Sequence, residues 1–148
     1  MLATTLATGI VCRRNGDEMA KPSEREKQHD AVRALGQPPF VIVHARAYEA
    51  DLEALPLEVF RLAELAEEEL RVGALVLYRG KAALKRLDSD LLGMWRLAFG
   101  PVSGPQYRLC FLPHKGPKRG QTTLIMHAAL PRAMVYTAVA KRIGREPP

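Results

Sequence analysis

The stretch 93–111, GMWRLAFGPVSGPQYRLCF, holds two short apolar runs, each carrying one arginine. Both runs alternate. Trp95, Leu97 and Phe99 share one parity, and Met94, Arg96 and Ala98 the other. Tyr107, Leu109 and Phe111 share one parity, and Arg108 and Cys110 the other. Side chains on a strand point to opposite faces with a period of two, so the pattern predicts two half-buried strands, 94–99 and 106–112. The Gly/Pro-rich loop GPVSGP between them predicts an antiparallel pair. Each strand then buries its aromatics on one face and carries an arginine on the other.

Working outward, PHKGPKRGQ at 113–121 reads as a basic, turn-rich loop, and TTLIMHAA at 122–129 as a further strand. Pro131 stands where a helix would start. RAMVYTAVAKRIGR follows, with Val135, Val139 and Ile143 on one stripe. Upstream, FVIVHA at 40–45 is β-branched and apolar, a first strand. Leu52, Leu55 and Val59, then Leu62, Leu65 and Ala66, recur at helical spacing. Pro56 either separates two helices or opens the second, and Gly73 ends the pattern. ALVLYRGKAALKRL, 74–87, is either a third short helix or an extended connector. The order strand, helix, helix, strand, strand, strand, helix predicts a small α+β domain over 38–148. Its antiparallel, mixed-edge sheet carries helices on one face, with a C-terminal helix closing the chain.

Residues 1–37 read as an N-terminal extension. A polar helix from about Ser23, stopped by Gly36 and Pro38, has a thin apolar stripe, so weak docking or disorder is expected. The start MLATTLATGIVC lacks a charged region before its apolar run and is too short for a membrane span. Met19 is an alternative start. Cys12 and Cys110 lie in no metal-binding or disulfide pattern, which fits a reducing cytoplasm without a zinc site.

Charge is distributed unevenly along the 148 residues. Residues 1–39 carry six basic and five acidic side chains, 40–80 four and eight, and 81–148 twelve and three. A basic half behind an acidic helical region is either a solvated face or the footprint of a phosphate backbone.

The order of elements, GMWRLAFG followed by QYRLCF, and the tail RAMVYTAVAKRIGR resemble the RelE/ParE superfamily of bacterial toxins over about residues 40–145. Tyr107, Arg108, Leu109 and Phe111 fit one family motif, and Arg132, Val135, Tyr136 and Arg142 fit the tail. The resemblance implies a RelE-like, metal-independent endoribonuclease that cuts messenger RNA on the ribosome by attack of a 2′-hydroxyl on the scissile phosphate. It also implies a cognate antitoxin as partner, and no cofactor or membrane. The alternatives are ParE-like inhibition of DNA gyrase without catalysis, or a degenerate member that only binds RNA or protein.

Under this resemblance Arg96, Arg108, Arg132 and Tyr136 are the candidate catalytic residues. Arginine suits the role because its planar fork takes two phosphate oxygens and stays charged. Tyr136 would stack on a base or bond the phosphate. Lys115, Lys118, Arg119, Lys141 and Arg142 would hold flanking RNA phosphates. Two positions that are often basic in nuclease members are Ala98 and Leu130 here, and no general base is evident. The plainer alternatives are that Arg96 and Arg108 are solvated residues on an open sheet, and that Trp95 and Tyr136 are core aromatics. His127 reads as a structural histidine, His44 and His114 show no partner pattern, and Glu67–Glu69 reads as a solvated helix face.

Overall fold

The computed structural model describes residues 21–87, 91 and 93–144. The readings on the apolar start, Cys12 and Met19 lie outside them. The chain runs α1 (Glu24–Leu35), β1 (Val41–His44), α2 (Arg46–Ala54), α3 (Leu57–Val72), β2 (Leu84–Arg86), β3 (Trp95–Phe99), β4 (Tyr107–Lys115), β5 (Thr122–Pro131) and α4 (Arg132–Arg142). The five strands form one sheet in the order β1-β5-β4-β3-β2. β1 pairs parallel with β5, and the other pairs are antiparallel. The α+β class and the mixed edge agree with the sequence reading. Residues 74–87 are a connector ending in the short strand β2, not a helix.

The alternation at 93–111 sorts two cores. Trp95, Leu97, Phe99, Leu109 and Phe111 pack with Leu124 and Met126 against Tyr48 of α2 and Val59, Ala63, Ala66 and Leu70 of α3. Met94, Cys110 and Ala128 have the opposite parity and pack under Val135 and Val139 of α4. The last helix therefore covers the face opposite the first three, where one covered face was expected. The face bearing Arg96 and Arg108 is roofed in part by α4 and is not an open, solvated sheet.

α3 ends at Gly73, whose φ of 75° is the left-handed conformation of a helix stop. A Cβ there would stand 2.5 Å from Pro38 Cγ, so this position needs glycine for space as well as for backbone.

α1 docks more firmly than its apolar stripe suggests. Ser23 caps it by accepting from Glu26 N at 3.1 Å, and the Glu26 carboxylate accepts from Ser23 N at 2.9 Å. Val32 and Leu35 are buried in the main core. The rest of the docking is polar: the Gln28 side-chain oxygen accepts from Ala83 N and Leu84 N, and Glu24 accepts from Ala82 N at 2.8 Å. These bonds take up donors along the approach to β2, an outer strand of the sheet. An apolar-stripe count misses them because the anchoring residues are hydrophilic.

Beyond the end of β1, the edge of β5 is covered by side chains. Asp51 of α2 accepts from Ala129 N at 3.0 Å, and Arg142 of α4 donates to His127 O at 2.9 Å. The two side chains are themselves joined by paired bonds of 2.6 and 2.9 Å. One ion pair thus ties the two helical layers together around the sheet edge. Asp51 is 7% exposed.

Candidate functional site

The register places the arginines. Arg96 stands opposite Cys110, and Arg108 stands between Ala98 on β3 and Leu130 on β5. Arg96 and Arg108 are therefore diagonal neighbours on one face, about 7–8 Å apart at the backbone. β5 turns directly into α4 at Pro131, which faces Tyr107 across the ladder. Arg132 opens the helix, and its N–H donates to Gln106 O at 2.9 Å. Tyr136 lies one turn on, on the same side of the helix, half-buried against the Met94 and Cys110 cluster. The structure thus brings Arg96, Arg108, Arg132 and Tyr136 to one patch where two strands meet the start of α4.

Arg108 is the buried member, at 6% exposure. It donates to Tyr107 O and to Gln106 Oε1, each at 3.1 Å. Its Nε is buried with no hydrogen-bond partner. Both partners are neutral oxygens. The two positions where the resemblance expects further charge, Ala98 and Leu130, flank Arg108 directly and account for its burial. Arg96 is half-buried and donates to Ala83 O at 3.0 Å. Burial first, then repulsion from Arg108 and more weakly Arg132, push its guanidinium below the ordinary arginine range. Arginine stays charged under such stress, so the patch is electropositive and short of a counter-ion. α4 adds a start with no side-chain cap and no acidic residue in its first turn. These features together suit an anion with several oxygens.

The remaining expected residues do not all join the patch. Lys115, Lys118 and Arg119 are exposed at the β4–β5 hairpin tip, which is closed by Gly116 N to Gln121 O at 2.7 Å. Seven residues of strand separate Lys115 from Arg108, roughly 24 Å. Lys141 is exposed on the last turn of α4. Arg142, expected to hold RNA, is instead bound to Asp51 and His127 O, so its fork is committed inside the fold. His127 has no partner across the ladder, since Cys110 faces Ala128 and Phe111 faces Met126. Burial, then His114 and Arg142, lower its pKa and keep it neutral. Burial pushes the Cys110 thiol up to about 12, which makes it inert. Among the described residues, no group of three or more His, Cys, Asp or Glu is arranged to hold a metal.

A second polar cluster escaped the sequence reading. His44, at the end of β1, holds Glu49 through Nδ1 at 2.6 Å and Glu67 through Nε2 at 2.7 Å. The buried Tyr48 hydroxyl donates to the other Glu67 oxygen at 2.7 Å. Glu67 is thus no solvated residue. Burial opposes the charged imidazole, but the bonds to Glu49 and Glu67 outweigh it and raise the His44 pKa above its ordinary 6.5. A raised folded pKa contributes stability that is fully present below about pH 6.5 and lost as pH rises through the folded value. Thermal unfolding followed across this range should show the midpoint falling as pH rises. His44→Gln should flatten that slope, and an unchanged slope would remove His44 as its source.

No protein-family model matches the chain, and no curated protein does. Solved structures similar to it include two toxins. The toxin–antitoxin complex RelBE2 of Mycobacterium tuberculosis contains a chain 19% identical, with a TM-score of 0.41, covering 64% of this chain and 99% of its own. A YoeB/ParE toxin of Agrobacterium tumefaciens is 14% identical, with a TM-score of 0.42, covering 63% and 99%. Overlaps of this size leave function to the geometry.

Proposed function

We propose that this protein is the toxin of a toxin–antitoxin pair, a metal-independent endoribonuclease that cuts messenger RNA on the ribosome. The observation that carries the reading is Arg108: a buried guanidinium with an unpaired Nε, beside Arg96, Arg132 and Tyr136 at the start of α4, which no side chain caps. Internal cleavage of RNA requires the 2′-oxygen to attack the neighbouring phosphorus while the 5′-oxygen leaves, through a phosphorane carrying an extra negative charge. Fixed positive groups already aimed at that charge lower the barrier without reorganising, by about 3 kcal/mol for each well-placed donor. Arg108 and Arg96 supply the charge, Arg132 extends it to the helix start, and Tyr136 offers a ring to a base or a hydroxyl to the phosphate. The ribosome would hold the messenger in line, a positioning role that this small patch does not fill alone. The hairpin lysines and Arg119 would contact phosphates further along. The antitoxin, and action in the cytoplasm, belong to the same proposal.

A defined messenger translated in a cell-free system tests it. Cleavage should need ribosomes, persist in chelator and leave a 2′,3′-cyclic phosphate. Arg108→Ala should slow it by about 100- to 1,000-fold. Intact transcripts with the unaltered protein would end the nuclease reading.

One observation favours a second reading. Among the described residues, the ionisable groups that act most on Arg96 are Arg108, Tyr136, Cys110 and Arg132, with neither a carboxylate nor an imidazole among them to take the 2′-proton. A basic patch without a proton acceptor suits an inhibitor that binds and does not cut, as in ParE-like action on DNA gyrase. Inhibition of purified gyrase without ribosomes would select it.

A further inference from the structure

The end of the sheet away from β2 carries a feature of opposite charge that the proposed function does not use. Among the described residues, β1 is an outer strand and pairs only with β5. Ala45 N donates to Met126 O, so Val43 and Val41, two and four residues back, also face β5. The N–H and C=O of Ile42 and His44 then point outward. Phe40 N shares that outward parity and is taken by Arg71 O, which closes the near end of the edge. Beside this edge lies a groove of about 480 Å³ between β1, α2 and α3. Ile42, Leu52 and Phe60 give it apolar lining, and five glutamates share it with Arg71 and His44 as the cationic members. Glu68 is paired with Arg71, and Glu49 and Glu67 with His44. Glu53 and Glu64 are exposed, and no cation pairs with either among the described residues.

We propose that this groove binds an extended basic segment of a partner protein, laid along β1 with an apolar side chain and, two residues away on each side, a lysine or arginine, so that all three face the groove. Open backbone groups at Ile42 and His44 give a short ladder for such a strand. The apolar lining takes the middle side chain, and Glu53 and Glu64 take the basic side chains that share its face. The chain as a whole carries +6, and this groove gathers five of its glutamates, so a basic segment is drawn to it against the overall charge. The site is independent of the arginine patch, and either can fail without the other.

The probe is a fluorescein-labelled peptide repeating lysine–serine–valine–serine, which in a strand places lysine and valine on one face, read by fluorescence anisotropy against the full chain. Saturable binding is expected, weakened several-fold when salt rises from about 0.05 to 0.2 M. A lysine–glycine peptide, the same repeat with glycine for valine, and one with glutamate for lysine, should each bind at least tenfold more weakly. The double variant Glu53→Lys/Glu64→Lys changes exposed residues only and should also lose tenfold. Ile42→Pro removes one outward donor while leaving the β5 partners in place, and should lose affinity with the sheet intact by circular dichroism. Equal binding of the lysine–glycine peptide would show charge attraction alone and overturn the proposal. So would binding untouched by the double variant, or no saturable binding. A concentration-dependent dimer in sedimentation that Lys118→Glu abolishes would give the groove to a second copy's basic hairpin and would likewise overturn it.

Discussion

Arg108→Met is expected to make the protein more stable and to abolish cleavage of RNA. The native side chain is held at 6% exposure, with an orphaned Nε and two bonds to neutral oxygens. An unsatisfied buried donor costs about 1–3 kcal/mol, and a buried charge costs more unless it is paired. Methionine has a similar length, suits the gap between Ala98 and Leu130, and needs no partner. The two bonds it forfeits are worth about 1 kcal/mol each, so a net gain of about 1–2 kcal/mol remains. For a domain of this size that is roughly 3–8 °C in Tm. The same change removes the charge meant for the phosphorane, and the cleavage rate should fall by about 100-fold or more. Calorimetry and the cell-free assay read the two effects separately. A lower Tm would mean that Arg108 supports the fold, and the picture of a site held ready for an anion would fail with it.

Breaking the Asp51–Arg142 pair should give a large loss of stability. Arg142→Ala leaves the Asp51 carboxylate, 7% exposed, with only Ala129 N for a partner. Removing one member of a buried pair costs about 3–5 kcal/mol. Arg142 retains some contact with water, and its loss should fall near the lower bound. Asp51→Ala orphans Ala129 N and leaves the guanidinium with His127 O as its protein partner, and should cost a similar amount. Because the residues touch, the double variant should be less damaging than the sum, with a coupling of about 1.5–3 kcal/mol in urea titrations. Additive losses would show that the bonds in the structure carry no energy. In RNA binding, Arg142→Ala should leave the salt dependence unchanged, because its charge is already answered inside the fold. Lys118→Ala should reduce the slope by about one.

Much of the architecture was legible because 93–111 buries one parity so completely. Trp95, Leu97, Phe99, Leu109 and Phe111 all enter the same core, and strict alternation reports that directly. Pro113 reads as a strand breaker, yet β4 runs on to Lys115. β3 pairs no further than Phe111, so the last part of β4 has a free side where a missing donor is tolerated. β2 has only three residues and offers no period to detect. The second core under the last helix went unread because Met94, Cys110 and Ala128 are small or few, and such residues do not announce it.

The arginine patch was found by matching residues to a family pattern, and the ladder then showed why those positions meet. The polar contacts of Asp51, Glu67 and Arg142 were missed, although each carries a signal. Asp51 falls on the stripe of Tyr48 and Leu55, Glu67 on that of Ala63 and Leu70, and Arg142 on that of Val135 and Val139. A charged residue at an apolar stripe position has to be answered by a partner. The partner itself is invisible in sequence, since Asp51 and Arg142 are separated by 91 positions.

The way α1 sits against the approach to β2 bears on how the chain tolerates trimming. Gln28 and Glu24 occupy the donors of Ala82, Ala83 and Leu84, and a protein cut back to Phe40 would keep its sheet while baring that rim. Two molecules so shortened could zip rim to rim, and inclusion bodies would replace soluble product. On that expectation the polar face of α1 shields the rim as well as docking the helix.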